Sequence, residues 1–147
     1  MEQNFKKGTD YIGVGVVFLC HDGNGKFLMH RRSAHTRDEH GKWDFGAGGV
    51  EFGHTIEETI RKEIQEEYCT AVLRHEFIGY MDVHRHHQGK PTHWVSLAFK
   101  VLVDPASVRI GEPDMCDEIG WFGLDALPEN LHSQIPKFLE QYGNRLV

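Results

Sequence analysis

Residues 48–70, GGVEFGHTIEETIRKEIQEEYCT, constrain what this chain can fold into more than any other stretch. Thr55 followed by Glu58 has capping-box spacing, so a helix is predicted to start there. Ile56, Ile60 and Ile64 recur every four residues and give that helix one apolar stripe. The helix should run to Tyr68. Glu63, Glu66 and Glu67 stand at i, i+3 and i+4, which places three carboxylates on one face beside the stripe. A helix with one apolar stripe needs a surface to lie on.

Strands supply that surface. Residues 11–19 (YIGVGVVFL) alternate, with Ile12, Val14, Val16 and Phe18 on one face and Gly13, Gly15, Val17 and Leu19 on the other. Two glycines on one face predict that something packs close to the backbone there. Residues 21–25 (HDGNG) are dense in turn formers, and 26–30 (KFLMH) form a partner strand, which predicts a hairpin. Residues 31–42 are polar and without period, hence a loop long enough to be suspected of function. Residues 71–83 read as a strand, 85–91 (RHHQGKP) as a turn or loop, and 93–103 as a strand. A polar loop over 111–118 precedes a short apolar segment at 119–122 and a turn at 125–128. Ser133 is placed to cap a last helix with Ile135, Phe138, Leu139 and Tyr142 inward. Hairpins mixed with two helices predict an α/β or α+β fold, a sheet covered by helices.

At 147 residues the chain is one domain in length, with residues 1–10 expected to be flexible. Lys+Arg number 16 and Asp+Glu 22, a formal charge of −6. That balance argues against a nucleic-acid polymer as partner, which calls for a basic face. No apolar run approaches the roughly 18 residues that span a membrane, and the N-terminus does not read as a secretory signal. Cys20, Cys69 and Cys116 are too few and too scattered for a disulfide framework or a zinc cage, so a cytoplasmic setting is expected.

An E-x-x-E-E run alone on a helix is ordinarily a solvated face. Here it follows a tryptophan strand, a glycine loop and a capped start, and that joint pattern changes the reading. Three crowded carboxylates repel one another, and a hard divalent cation turns the repulsion into binding; Mg²⁺ takes oxygen ligands and is commonly completed by substrate phosphates. The glycine loop can bring backbone groups close to an anion or a metal.

These residues resemble the Nudix hydrolase signature, G-x5-E-x7-R-E-U-x-E-E-x-G-U with U aliphatic. Gly48 matches its opening glycine, and Glu63, Ile64, Glu66 and Glu67 match E-U-x-E-E. The first hairpin, the W-D-F before the box and the WF-x-LDALP near the end extend the resemblance over residues 11–142. The box departs from the pattern at His54, Lys62 and Cys69, and Phe45-Gly46-Ala47-Gly48 stands where LPGG is common. The resemblance implies an α/β/α sandwich with a mixed sheet. It also implies a hydrolase, dependent on Mg²⁺ with Mn²⁺ able to substitute, that cleaves the pyrophosphate of a nucleoside diphosphate linked to X. A (deoxy)nucleoside triphosphate giving monophosphate and pyrophosphate is the leading substrate.

Glu66 and Glu67 are then expected as principal metal ligands, Glu63 as ligand or general base, and the Ala47 carbonyl as a further ligand. Family members often add an acid from the loop before the WF strand; Glu112, Asp117 and Glu118 compete, and Glu118 is preferred because it lies closest to that strand. Arg31 is a phosphate-contact candidate through its fork of donors. Tyr80, Trp94 and Phe122 are candidates to stack on a base, against the commoner role of ordinary core aromatics. His84, His86, His87 and His93 flank one turn without a fixed ligand spacing and read as a hydrated hairpin tip. The expected partner is a small nucleotide, and pairing into a homodimer is compatible with so short a domain. Two alternatives stand beside it. One is a Nudix-shaped binding or regulatory module without catalysis. The other is an isomerase of the isopentenyl diphosphate type, whose catalytic cysteine motif has no counterpart here.

Overall fold

The alternation along the first hairpin sets the centre of the sheet. The computed structural model describes residues 4–147. Strand β1 (Gly13–His21) turns through Gly23–Gly25 into β2 (Lys26–Arg32). Two short strands follow, β3 (Trp43–Asp44) and β4 (Gly46–Gly49), then helix α1 (Ile56–Tyr68), β5 (Arg74–His87), β6 (Lys90–Leu102), β7 (Cys116–Gly123) and helix α2 (Ile135–Tyr142). They form one sheet ordered β3-β2-β1-β6-β5, with β4 also paired to β1 and β7 to β2. Among the described strands β1 and β6 are the one parallel pair, from Gly13 opposite Trp94 to His21 opposite Leu102. The sheet is therefore mixed, as expected.

A helix covers each face. On one side Ile60, Ile64 and Tyr68 of α1 pack on Val16, Phe18, Cys20 and Leu28. On the other, Ile135 and Phe138 of α2 pack on Leu19, Phe27, Met29 and Ile78. Period two along β1 sends Val16 and Phe18 to one core and Leu19 to the other. The glycine face of β1 is taken by the Trp94 indole: a Cβ on Gly13 would lie 2.6 Å from its Cε3. Residues 6–10 are tied down, because Gly8 C=O accepts from His93 N–H at 2.8 Å and Lys7 Nζ donates to Val50 C=O at 3.3 Å.

Helix α1 starts as its sequence dictates. Thr55 Oγ1 accepts from Glu58 N–H at 3.0 Å, and Ile60 and Ile64 are fully buried. It ends on Cys69 in the left-handed region (φ 56°, ψ 31°), with the Cys69 N–H donating to Gln65 C=O. Glycine adopts that conformation without a Cβ penalty, and the resemblance has glycine there. Cys69→Gly is expected to stabilise the fold by about 0.5–1 kcal/mol, read as a melting midpoint raised by roughly 2–4 °C.

Two expectations are corrected. The turn or loop expected over 85–91 narrows to a two-residue turn: β5 runs on to His87, β6 resumes at Lys90, and Gln88 (φ 52°) and Gly89 (φ 77°) alone make it. Positive φ at both positions is the two-residue hairpin geometry, which glycine at the second position accommodates. Ser133 does not cap α2, since its hydroxyl and its N–H both donate to the Glu39 carboxylate. Gln134 takes the cap position without a side-chain bond. Pro136 has no N–H, which leaves one fewer donor to cap. No helix among the described residues is long and apolar enough to cross a membrane.

Candidate active site

The capped start and the isoleucine stripe fix the rotation of α1, and that rotation decides where its carboxylates go. Glu63 leans on β4, so that a Cβ on Gly48 would collide with its Cγ and Cδ. Ala47, whose carbonyl is a ligand candidate, immediately precedes that glycine on β4. Glu66 is more exposed, with Lys62 Nζ 3.9 Å away one turn back. Glu67 points inward, into a cleft of about 30 Å³ shared with His30, Tyr68, Glu112, Met115 and Cys116. Its Oε2 is buried and has no hydrogen-bond partner.

An orphaned buried carboxylate oxygen is expensive unless something else binds it. Burial, then the charges of Glu63, Glu112, Asp44 and Glu66, raise the Glu67 pKa well above the ordinary carboxylate value. Burial and Glu66 raise that of Glu63 as well. The carboxylates among these residues offer oxygens, the donors that suit a hard divalent cation such as Mg²⁺.

Of the three competing loop acids, Glu112 is the one that shares a cleft with Glu67. It is carried there by backbone bonds to the end of α1. Arg109 N–H donates to Tyr68 C=O at 3.0 Å, and Gly111 N–H donates to Glu67 C=O at 2.9 Å. Glu118 stands on β7 opposite Arg31 of β2, its Oε2 3.8 Å from Arg31 Nε. The two residues nominated for metal and phosphate thus face each other. His54 is exposed in the loop before α1, and Lys62 turns to Glu66.

His30 lies at the base of the cleft, hydrogen-bonded through Nδ1 to the Tyr68 hydroxyl at 2.7 Å. Burial, then the nearby Arg32 charge, pushes its pKa down to about 4. The unfolded chain therefore takes up this proton first, near pH 6.5, and the folded chain only near 4. Stability should fall as pH drops through that window, by about 3 kcal/mol at 1.36 kcal/mol per unit. Chemical denaturation across the window checks this, with His30→Gln expected to remove that part of the slope.

A cavity of about 350 Å³ opens on the far side of the β4 glycines. Ala47, Gly48 and Gly49 form one edge, and Trp94, Phe45, Met81 and Phe138 supply apolar wall. Trp94 is the one aromatic candidate lining it. Tyr80 is exposed on β5, and Phe122 packs edge-on against Trp43 at 5.2 Å.

The polar wall was not anticipated from the sequence. Arg32 Nη2 donates to Asp38 at 3.2 Å, and its Nη1 lies 3.6 Å from Asp44 Oδ2. Arg85 Nη2 is 2.9 Å from both Asp38 and Glu39, and His132 Nε2 is 2.9 Å from Glu39. Burial outweighs Arg32 at Asp44 and pushes its pKa up to about 7. At Glu39 burial works the same way, but hydrogen bonds from Ser133 win and hold it at about 2. The residues come from 32, 38–44, 85 and 132; the sequence cues are the loop over 31–42, suspected of function for its length, and Asp44 in the W-D-F run, whereas Arg85 and His132 carry none.

A family model described as the NUDIX domain matches residues 11–142. The NAD-capped RNA hydrolase NudC of Chromobacterium violaceum is 35% identical over 107 residues, 71% of this chain and 36% of that protein. Its namesake in Erwinia tasmaniensis is 29% identical over 97 residues, 64% of this chain and 33% of that protein. The chain thus spans about a third of the length of these curated relatives. Among solved structures, the MutT NUDIX hydrolase of Burkholderia pseudomallei is 29% identical with a TM-score of 0.76, covering 88% of this chain and 96% of that one. The MutT protein of Methanosarcina mazei Go1, at 23% identity and TM-score 0.77 over 91% and 94% of the two chains, shares the fold.

Proposed function

We propose, from the premise that this chain belongs to the Nudix hydrolase family, that it cleaves the pyrophosphate bond of a small nucleotide in a Mg²⁺-dependent reaction. The leading substrate is a (deoxy)nucleoside triphosphate, giving a monophosphate and pyrophosphate. The observation that carries this reading is the buried, partnerless Oε2 of Glu67 among the further carboxylates of Glu63, Glu66, Glu112 and Asp44.

Glu66 and Glu67 would hold the cation, with Glu112 closing the set from its loop and the Ala47 carbonyl adjoining on β4. A divalent cation in such a site neutralises charge on the phosphates and lowers the pKa of a bound water. The remaining work falls to the chain itself. Glu63, which leans on Gly48, would take the proton of the attacking water; its raised pKa suits a general base. Water adds to one phosphorus, the bridging P–O bond breaks, and the bridging oxygen leaves with the departing phosphate group. The cavity beyond β4 has the volume of a small-molecule site. In it Trp94 offers a stacking face and Arg32, Asp38, Asp44 and Arg85 offer polar edges.

A second reading takes a dinucleotide of the NAD type as substrate, motivated by the likeness to two NAD-capped RNA hydrolases. One experiment separates the two: a panel of nucleoside triphosphates, nucleotide sugars and dinucleotides with Mg²⁺, products identified. Pyrophosphate from a triphosphate supports the first reading, and two monophosphates from a dinucleotide support the second. No turnover of any member overturns both and leaves a binding module.

A further inference from the structure

The β5–β6 hairpin has two differently used faces. Val83, Arg85, Thr92 and Trp94 line the cavity. Alternation turns Asp82, His84 and His93 to the reverse face. Register does what sequence spacing did not: His84 and His93 are directly opposite partners on adjacent strands, and Asp82 is two residues from His84 on the same face. The imidazole rings lie 4.1 Å apart between centroids. His93 Nε2 is 3.0 Å from Asp82 Oδ1. One ligand atom from each of the three residues falls within 4.8 Å of the others.

We propose that Asp82, His84 and His93 form a second, surface metal site, selective for a divalent transition ion of the zinc class. Two imidazoles and a carboxylate suit zinc and its neighbours, whereas Mg²⁺ seeks an all-oxygen set. Tetrahedral ligands at 2.0–2.1 Å from zinc are about 3.3 Å from one another. The Asp82–His93 pair is already near that spacing, and rotation of the exposed Asp82 and His84 side chains closes the rest. The ion would tie β5 to β6 behind the wall of the nucleotide cavity and leave the glutamate face of α1 to Mg²⁺.

Equilibrium dialysis of the full chain against Zn²⁺ in excess Mg²⁺ tests this, with bound zinc counted per chain. The native chain should hold one more zinc than the His84→Gln/His93→Gln double variant. Asp82→Asn should weaken that zinc by about tenfold, and His35→Gln should change nothing. On the unsubstituted chain, zinc should shift the imidazole proton resonances of His84 and His93. Equal zinc in native and double-variant chains, or no bound zinc at all, overturns the proposal; equal binding would point instead to the exposed Cys69 or the acidic helix.

Discussion

Glu67→Gln is expected to remove most turnover and, in the absence of metal, to make the protein harder to unfold. The two effects share one cause. Glu67 Oε2 is buried without a partner, so its charge destabilises the metal-free fold and is useful only when a cation binds it. The neutral amide keeps the shape and removes the charge. Loss of a preorganised charge-stabilising group costs about 10²–10³-fold in kcat. The metal-free gain should be about 1–3 kcal/mol, the scale of an unsatisfied buried group. Its pH dependence has a definite sign. The folded pKa of Glu67 lies above 4.5, so below 4.5 the carboxyl is protonated in both states and the two proteins differ little. As pH rises through the folded pKa, the native protein alone is penalised and the variant's advantage grows. Mg²⁺ should then stabilise the native chain more than the variant, because ligand bound to the folded state adds to stability by mass action. Denaturation at several pH values, with and without Mg²⁺, checks all of this. A variant no more stable than the native chain at high pH without metal would contradict it.

Gly111→Ala is expected to cost about 3 kcal/mol, the upper end of what overpacking does. A Cβ there would collide with the backbone carbonyl of Glu66 and come within 3.2 Å of Cys69 Sγ. Backbone cannot rotate away as a flexible side chain can, so the loop must lift from α1. Lifting breaks the Gly111 N–H bond to Glu67 C=O and carries Glu112 away from the cleft it shares with Glu67. The denaturation midpoint should fall, and the concentration of Mg²⁺ needed for half-maximal activity should rise. Gly143→Ala is the control, since nothing lies within 4 Å of its added Cβ.

Helix α1 was legible because its determinants are local: a threonine cap, a period-four isoleucine stripe and carboxylates at helical offsets all agree. The mixed sandwich followed from the order of strand and helix signals and from the family resemblance. What escaped depends on tertiary register. Proximity in sequence to the WF strand favours Glu118, which stands 3.8 Å from Arg31 across β2 and β7. Glu112 reaches the acidic face through hydrogen bonds between its loop and the end of a helix some 40 residues earlier, and no local pattern encodes those. Arg31 and Arg32 are adjacent and alike in sequence, and the strand's alternation alone brings Arg32 to the cavity wall. The histidine hairpin shows the same limit, since its ligand geometry appears only once β5 and β6 are aligned.

The Trp94 indole rests where Gly8 and Gly13 lack side chains, and its other side bounds the cavity. The bore of the pocket is therefore set from behind, by two positions whose missing methyls give the indole room to recline. An alanine at Gly13 would press on the ring from behind and narrow the cavity, so its width is tuned by a residue outside its lining.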